Sequence, residues 1–328
     1  MNDKKRHHFV PVSYLKGFCD ESGKIRAFFK GSPPNGKIHL KPDEIGFENY
    51  YYSQPLPEGG QNNNAMEDAF GKFETGWPEL VQRLSIGSVA QEDLLQLLTF
   101  VLMLRVRVPA ARDMVELSLA ECVKATVRAL DRAGRLPPPP REFPNLLHEL
   151  EVSIDPHRSM LAMVDLAKGV AQVLDALSYQ ILHNGTDDQF LTSDCPVCYF
   201  DPLVPESHAR PFTVSPPDGA IELIFPISSK LMLRGFTSFG SRDFHHLDVC
   251  RSDDVLRLNK VVAKFGYRMV LSSALSHLNI ASAYSEISPI LKTSVHRSPR
   301  GEGLLFEHVF GRRSGKPKWR GAKEQSID

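Results

Sequence analysis

In the first 60 residues the apolar positions fall in short runs interrupted by turn formers. Residues 24–29 and 37–40 flank Gly31-Ser32-Pro33-Pro34-Asn35-Gly36, a pattern that predicts a β-hairpin. Residues 12–18, after Pro11, predict a short helix, and residues 54–64, rich in Pro, Gly and Asn, predict a loop. From Ala65 the period lengthens from two to 3.6. Met66, Ala69, Phe70, Phe73 and Trp77 make one apolar stripe, with Glu67, Asp68 and Glu74 off it, so one helix is expected from Ala65 to Trp77. A second helix is expected from the capping-box spacing Ser88–Gln91 through Leu94, Leu97, Leu98 and Val101. Its apolar residues cover most sides, which marks it as central. A third follows Pro109 and ends near Gly134.

Pro137 to Pro140 form a stiff spacer, and Asp155-Pro156 opens a helix whose apolar face runs from Met160 to Leu177. Strand patterns then return. Residues 179–182 and 189–192 around Asn184-Gly185 read as a hairpin, and residues 221–225 and 230–233 as two more strands. Residues 253–269 turn helical again. The order of strands, helical block and strands with a final helix predicts an α+β fold. A central helical block is expected beside a sheet built from N-terminal and C-terminal strands. We expect a single domain over residues 1–310 and a basic, disordered tail over 311–328.

Composition changes this picture little. Of 328 residues 42% are hydrophobic, enough for a large core, and 39 Lys and Arg balance 39 Asp and Glu, so an argument for nucleic acid must be local. The tail supplies one: Arg312, Arg313, Lys316, Lys318, Arg320 and Lys323 precede Glu324, the first acidic residue there, and could neutralise phosphates, or simply keep the chain soluble. The charged opening residues lack a signal-peptide pattern, no apolar run reaches the roughly 20 residues that span a bilayer, and five scattered cysteines suggest no disulfide framework. A cytoplasmic protein without a membrane partner is expected.

The run from His7 to Phe18 resembles the signature His-x-x-Pro-x-x-Tyr-Leu-x-x-Phe of an uncharacterised family, domain of unknown function 4238. Further segments are similar in family order: Arg107-Val108-Pro109-Ala110-Ala111-Arg112, Phe190 to Val197 with Thr-Ser-Asp-x-Pro-Val, Phe225-Pro226-Ile227-Ser228 and Leu258-Asn259. The resemblance implies no activity.

Candidate chemistry comes from the residue types. His8 is the member of the His pair with the signature spacing, and its imidazole could act as acid or base, or anchor the N-terminal arm through a carboxylate. Glu67 and Glu74 are seven residues apart, near one helical face. With His8 and Asp194 they would suit a divalent cation that activates water. Solvated surface glutamates explain them equally. Asp194 ends an expected strand, where a carboxylate is either presented for reaction or used with Ser193 to cap a turn. Arg105, Arg107 and Arg112 cluster around Pro109, and Arg107 and Arg112 are expected either to grip phosphate or to join internal ion pairs. Cys195-Pro196-Val197-Cys198 lacks the second ligand pair of a zinc site, and there is no P-loop, dinucleotide fingerprint or His-Glu-x-x-His.

The expectation is therefore a metal-dependent phosphodiester hydrolase, such as a nuclease. His8, Glu67 and Asp194 would be catalytic, Glu67, Glu74 and Asp194 would hold a divalent cation, and Arg107 and Arg112 would bind phosphate. The rival is a noncatalytic small-molecule or protein-binding module in which the same residues form a structural network.

Overall fold

The computed structural model describes residues 4–31, 37–56, 58–87, 89–213, 219–237, 244–249, 251–298 and 301–315. The chain opens with β1 (Arg6–His8) and α1 (Val12–Leu15), which a tight helical turn extends to Phe18. Next come β2 (Ile25–Phe29), β3 (Lys37–Leu40), β4 (Phe47–Asn49) and the two-residue strands β5 (Gln54–Pro55) and β6 (Gln61–Asn62). The helical block holds α2 (Ala65–Glu74), α3 (Trp77–Ser85), α4 (Gln91–Arg107), α5 (Pro109–Arg132), α6 (Leu146–Glu149) and α7 (Pro156–Asp175). Then follow β7 (Leu177–Asn184), β8 (Thr192–Ser193), β9 (Cys198–Phe200), β10 (Glu222–Pro226), β11 (Leu231–Thr237), β12 (Phe244–Val249), α8 (Ser252–Phe265), β13 (Met269–Ser272), α9 (Leu278–Ser282), β14 (Ser288–Ser298) and β15 (Gly301–Gly311).

The fold is α+β, with central helices beside sheets drawn from both ends of the chain. Strand order β3-β2-β13-β8 joins N-terminal to C-terminal strands. A second sheet, β12-β7-β11-β10-β9, is built only from residues after the helical block, and its β12–β7 pair is parallel. The β2–β3 hairpin forms as expected, with Arg26 opposite His39.

Where the structure departs from the pattern, local chemistry explains why. The expected helix from Ala65 to Trp77 breaks at Gly76, whose φ of +81° is left-handed, and restarts as α3 with Pro78 in its first turn. Ser88 lies outside the described residues; the cap that does form is the Asp93 carboxylate accepting from the Ala90 N–H at 3.0 Å. The loop around residues 54–64 contains the small β5–β6 pair. The expected hairpin of residues 179–182 with 189–192 does not form, because β7 pairs with β11 and β12 whereas β8 pairs with β13. Asn184 closes the turn on itself, accepting from the Thr186 N–H at 2.9 Å and donating to the Asp188 carbonyl at 2.8 Å. The following chain is then led away by the Phe190 N–H donating to the Ser229 carbonyl. The helix expected over 253–269 ends at Phe265, and Met269 already belongs to β13.

One contiguous buried cluster reaches from Phe9 to Ala281. At its heart Trp77 stacks on Phe100 at 3.8 Å between centroids, and Tyr14 stacks on Phe225 at 5.5 Å. No single helix among the described residues is long and apolar enough to cross a membrane. The α4 and α5 pair would be long enough together, but it bends by 49° and buries Leu97, Phe100, Val101 and Leu104 in this cluster.

Candidate functional site

The resembling segments, far apart in sequence, meet in space. The Tyr14 hydroxyl donates to the Pro226 carbonyl at 2.8 Å and shares a 2.6 Å hydrogen bond with the Thr192 hydroxyl. The Asn259 side chain accepts from the Leu191 N–H and donates to the Gln189 carbonyl, both at 2.8 Å. The Tyr52 hydroxyl donates to the Arg107 carbonyl at 2.8 Å. These residues order the backbone of one another's segments, which is a structural task.

The two adjacent histidines separate cleanly. His7 is fully buried and stacked on Tyr52; its Nδ1 accepts from the Tyr52 N–H at 2.8 Å and its Nε2 donates to the Lys4 carbonyl at 3.0 Å. That pattern is met by the neutral ring. Alternation along β1 turns His8 the other way, against Phe47, and leaves its buried Nε2 without a hydrogen-bond partner. Burial lowers the His8 pKa, with the Asp43 main chain opposing and the Arg107 charge assisting.

Beside His8, Arg107 reaches back from the end of α4 with its guanidinium on the Phe70 ring at 4.5 Å. It donates to Glu74 at 2.7 Å and to the His8 carbonyl. Glu67, nearly two helical turns before Glu74 on α2, is half-buried, and its Oε1 is enclosed without a hydrogen-bond partner. Burial raises the Glu67 carboxyl to about 7; Arg107 pulls it down, and Glu74 pushes it further up. The structure thus brings together His8, Glu67, Glu74 and Arg107. Glu67 is reached by the His8 main chain, and the His8 ring feels the charges of Arg107, Glu74 and Asp43.

Asp194 and Arg112 lie elsewhere. Asp194 is completely buried, with Oδ1 accepting from the Tyr267, Arg268 and Met269 N–H groups at 2.8, 3.0 and 3.2 Å. Burial raises its pKa while the Arg268 charge and these N–H groups pull against it. It holds together the distant turn from α8 into β13, while the local turn expected of the Ser193–Asp194 pair is capped by Ser193 alone, whose Oγ accepts from the Cys195 N–H at 3.1 Å. Arg112 donates to Glu116 at 3.0 Å and to the Tyr51 carbonyl at 2.6 Å, its guanidinium 4.4 Å from the Tyr51 ring. With Glu74 held by Arg107 and Asp194 in its amide cradle, the expected carboxylates do not converge on a cation. No group of three or more His, Cys, Asp or Glu among the described residues is arranged to hold a metal ion.

Arg105 was set beside Arg107 and Arg112 by spacing, but only the structure distinguishes it. It is almost fully buried, and its Nε and Nη1 have no hydrogen-bond partner.

No curated protein and no solved structure matches the chain. A family match does extend over residues 6–275, taking in every segment that meets around Tyr14, Arg107, Asp194 and Asn259, so the chain belongs to DUF4238, a family of proteins of unknown function.

Proposed function

We propose that the chain is a phosphodiester hydrolase that works by proton transfer, with His8 as the base and Glu67 as the acid. The observation that supports this most is a pair of half-buried ionisable side chains, each with an enclosed polar atom lacking a partner, against one Arg107–Glu74 ion pair. Unsatisfied buried polar atoms are costly in a scaffold and useful in a site that a substrate completes. In this reading neutral His8 takes a proton from the water that attacks phosphorus, and protonated Glu67 gives one to the departing oxygen as the P–O bond breaks. Arg107 positions both: it fixes the His8 backbone and sets the charge around Glu67. The exposed Lys5 and Arg6 on the same N-terminal arm favour an anionic substrate. Because Glu74 and Asp194 are engaged internally and only Glu67 is left with an unpartnered oxygen, the chemistry assigned here runs on protons, and activity in the presence of a chelator is expected.

The test is a screen of RNA, single-stranded DNA and a generic phosphodiester ester, with and without chelator, using wild type, His8→Ala and Glu67→Gln. Activity should fall by at least about 100-fold in each variant, in the range typical of a lost general acid or base. The rate should decline on the alkaline side near pH 7 as Glu67 ionises, and on the acid side below pH 6.5 as His8 protonates. Activity that survives both substitutions sinks the proposal.

A second reading, the noncatalytic module, draws on Arg107, Arg112 and Asp194 all being spent on internal partners. It expects no turnover from any substrate in the screen and a loss of stability, rather than of rate, in His8→Ala.

A further inference from the structure

Arg105 and Arg107 stand two positions apart on α4, so their side chains leave the helix about 200° apart. Among the described residues Arg107 finds a carboxylate and Arg105 does not. Its guanidinium carbon lies 3.7 Å from the centroid of Phe212 and 5.9 Å from that of Tyr199. His308, 5.9 Å from Phe212 and edge-on to it, and the Cys195 thiol complete the neighbourhood. Burial, with Arg105 assisting, lowers the His308 pKa to about 4, and burial raises Cys195 to about 12, so both neighbours are neutral at pH 7. Among the described residues no carboxylate pairs with Arg105 and no hydrogen bond reaches its guanidinium.

A permanently charged group in this position has lost its water and gained only ring faces. Cation–π contact does not satisfy N–H donors, and two of the nitrogens are wholly enclosed. Phe212, which covers the guanidinium, has a φ of +57°, a left-handed backbone that bulky residues seldom adopt. Its sequence neighbours Arg210, paired with Glu307, and Thr213 line a surface cavity, together with Lys264, the carboxylates of Asp201 and Glu206, and Val309, which directly follows His308. The cavity is thus adjacent along the chain to Phe212 and His308, with Phe212 standing between it and Arg105.

We propose that Arg105 is the floor of a second binding site, separate from the His8–Glu67 pair, for a small oxyanion group, a carboxylate or phosphate, that enters beside Phe212. The guanidinium offers its enclosed donors to the oxyanion, and His308, edge-on to Phe212, adds no competing charge.

The experiment is thermal melting of the full chain against inorganic phosphate or acetate, with ionic strength held constant by sodium chloride. Wild type is expected to show a rise in Tm that becomes logarithmic in anion concentration, about 2 °C for each tenfold increase beyond half-saturation. Arg105→Met, which keeps the volume and removes charge and donors, should lose that rise while melting in anion-free buffer no lower than wild type. A response to acetate alone assigns a carboxylate ligand, and a response to phosphate alone assigns a phosphate. A flat wild-type response to both anions, or an equal rise in Arg105→Met, overturns the site. Should Arg105→Met fail to fold, Phe212→Leu leaves the cation and removes its cover. Its half-saturating anion concentration should change at least threefold, and an unchanged value places the anion elsewhere and overturns the proposal.

Discussion

Three arginines within eight residues meet three different environments, and the reason lies in helix geometry. Arg107 turns toward α2 and meets Glu74, Arg112 meets Glu116 one turn along α5, and Arg105 turns into rings. Only the Arg112–Glu116 pair has a spacing visible in sequence. The Arg107 partner is 33 residues away, and nothing in local pattern tells a paired guanidinium from an unpaired one. The same holds for Glu67 and Glu74: seven residues apart on one helix face, they differ because Arg107 reaches one of them. Glu67 therefore carries a stability signature. Between its ordinary 4.5 and about 7 the folded chain keeps a proton that the unfolded chain has released, so this group's contribution to stability falls as pH rises through that window. Glu67→Gln, which cannot ionise, is expected to match wild type near pH 5 and to exceed it by about 1–2 kcal/mol at pH 8, with allowance for partial exposure. Urea denaturation at the two pH values measures this; a variant weaker than wild type at pH 8 would mean that the carboxylate is well paired.

At the scale of elements, periodicity carried α4, α5 and α7 because each has a long apolar face and a local stop or start: Pro109, Gly134 in the left-handed region, and Asp155 accepting from the His157 N–H at 3.0 Å. Strand existence was also legible for β2, β3, β10 and β11. Strand pairing was less so. Asn184-Gly185 has every local mark of a hairpin turn, yet the residues after it leave the sheet because a distant side chain captures them. Asn259, 68 residues from Leu191, satisfies one donor and one acceptor of that departing backbone. The β14–β15 hairpin was missed for a different reason: its residues, such as His308 and Val309, show no clean alternation, since one part packs on α5 and α8 and another stays exposed. Asn259→Ala leaves a buried N–H and a buried carbonyl without partners, and a loss of about 2–4 kcal/mol is expected in chemical denaturation. A loss below about 0.5 kcal/mol would show that the β7–β8 connection holds its course by apolar packing alone.

For the whole molecule, the balance of 39 cationic and 39 anionic residues puts any affinity for nucleic acid into local clusters, and the C-terminal segment is the densest. The structure moves its boundary. β15 runs through Gly311, Arg312 pairs with Glu286 at 3.0 Å and Arg313 lies 5.2 Å over the Tyr267 ring, so a cut after Phe310 would remove folded contacts as well as charge. Residues 316–328 lie outside the described residues and carry Lys316, Lys318, Arg320 and Lys323 with Trp319 among them. Truncation after Gly315 is expected to leave circular dichroism unchanged and stability within about 0.5 kcal/mol. If the tail binds phosphates, each of the four cations adds up to about 0.9 to the salt slope on duplex DNA, so the truncated chain should lose as much as about 3–4 of that slope together with retention at low salt. Trp319 would add a preference for single strands, through stacking that salt does not screen. Retention of duplex and single-stranded DNA measured for both chains across a salt series separates these contributions, and identical retention at every salt concentration would remove the tail from any part in binding nucleic acid.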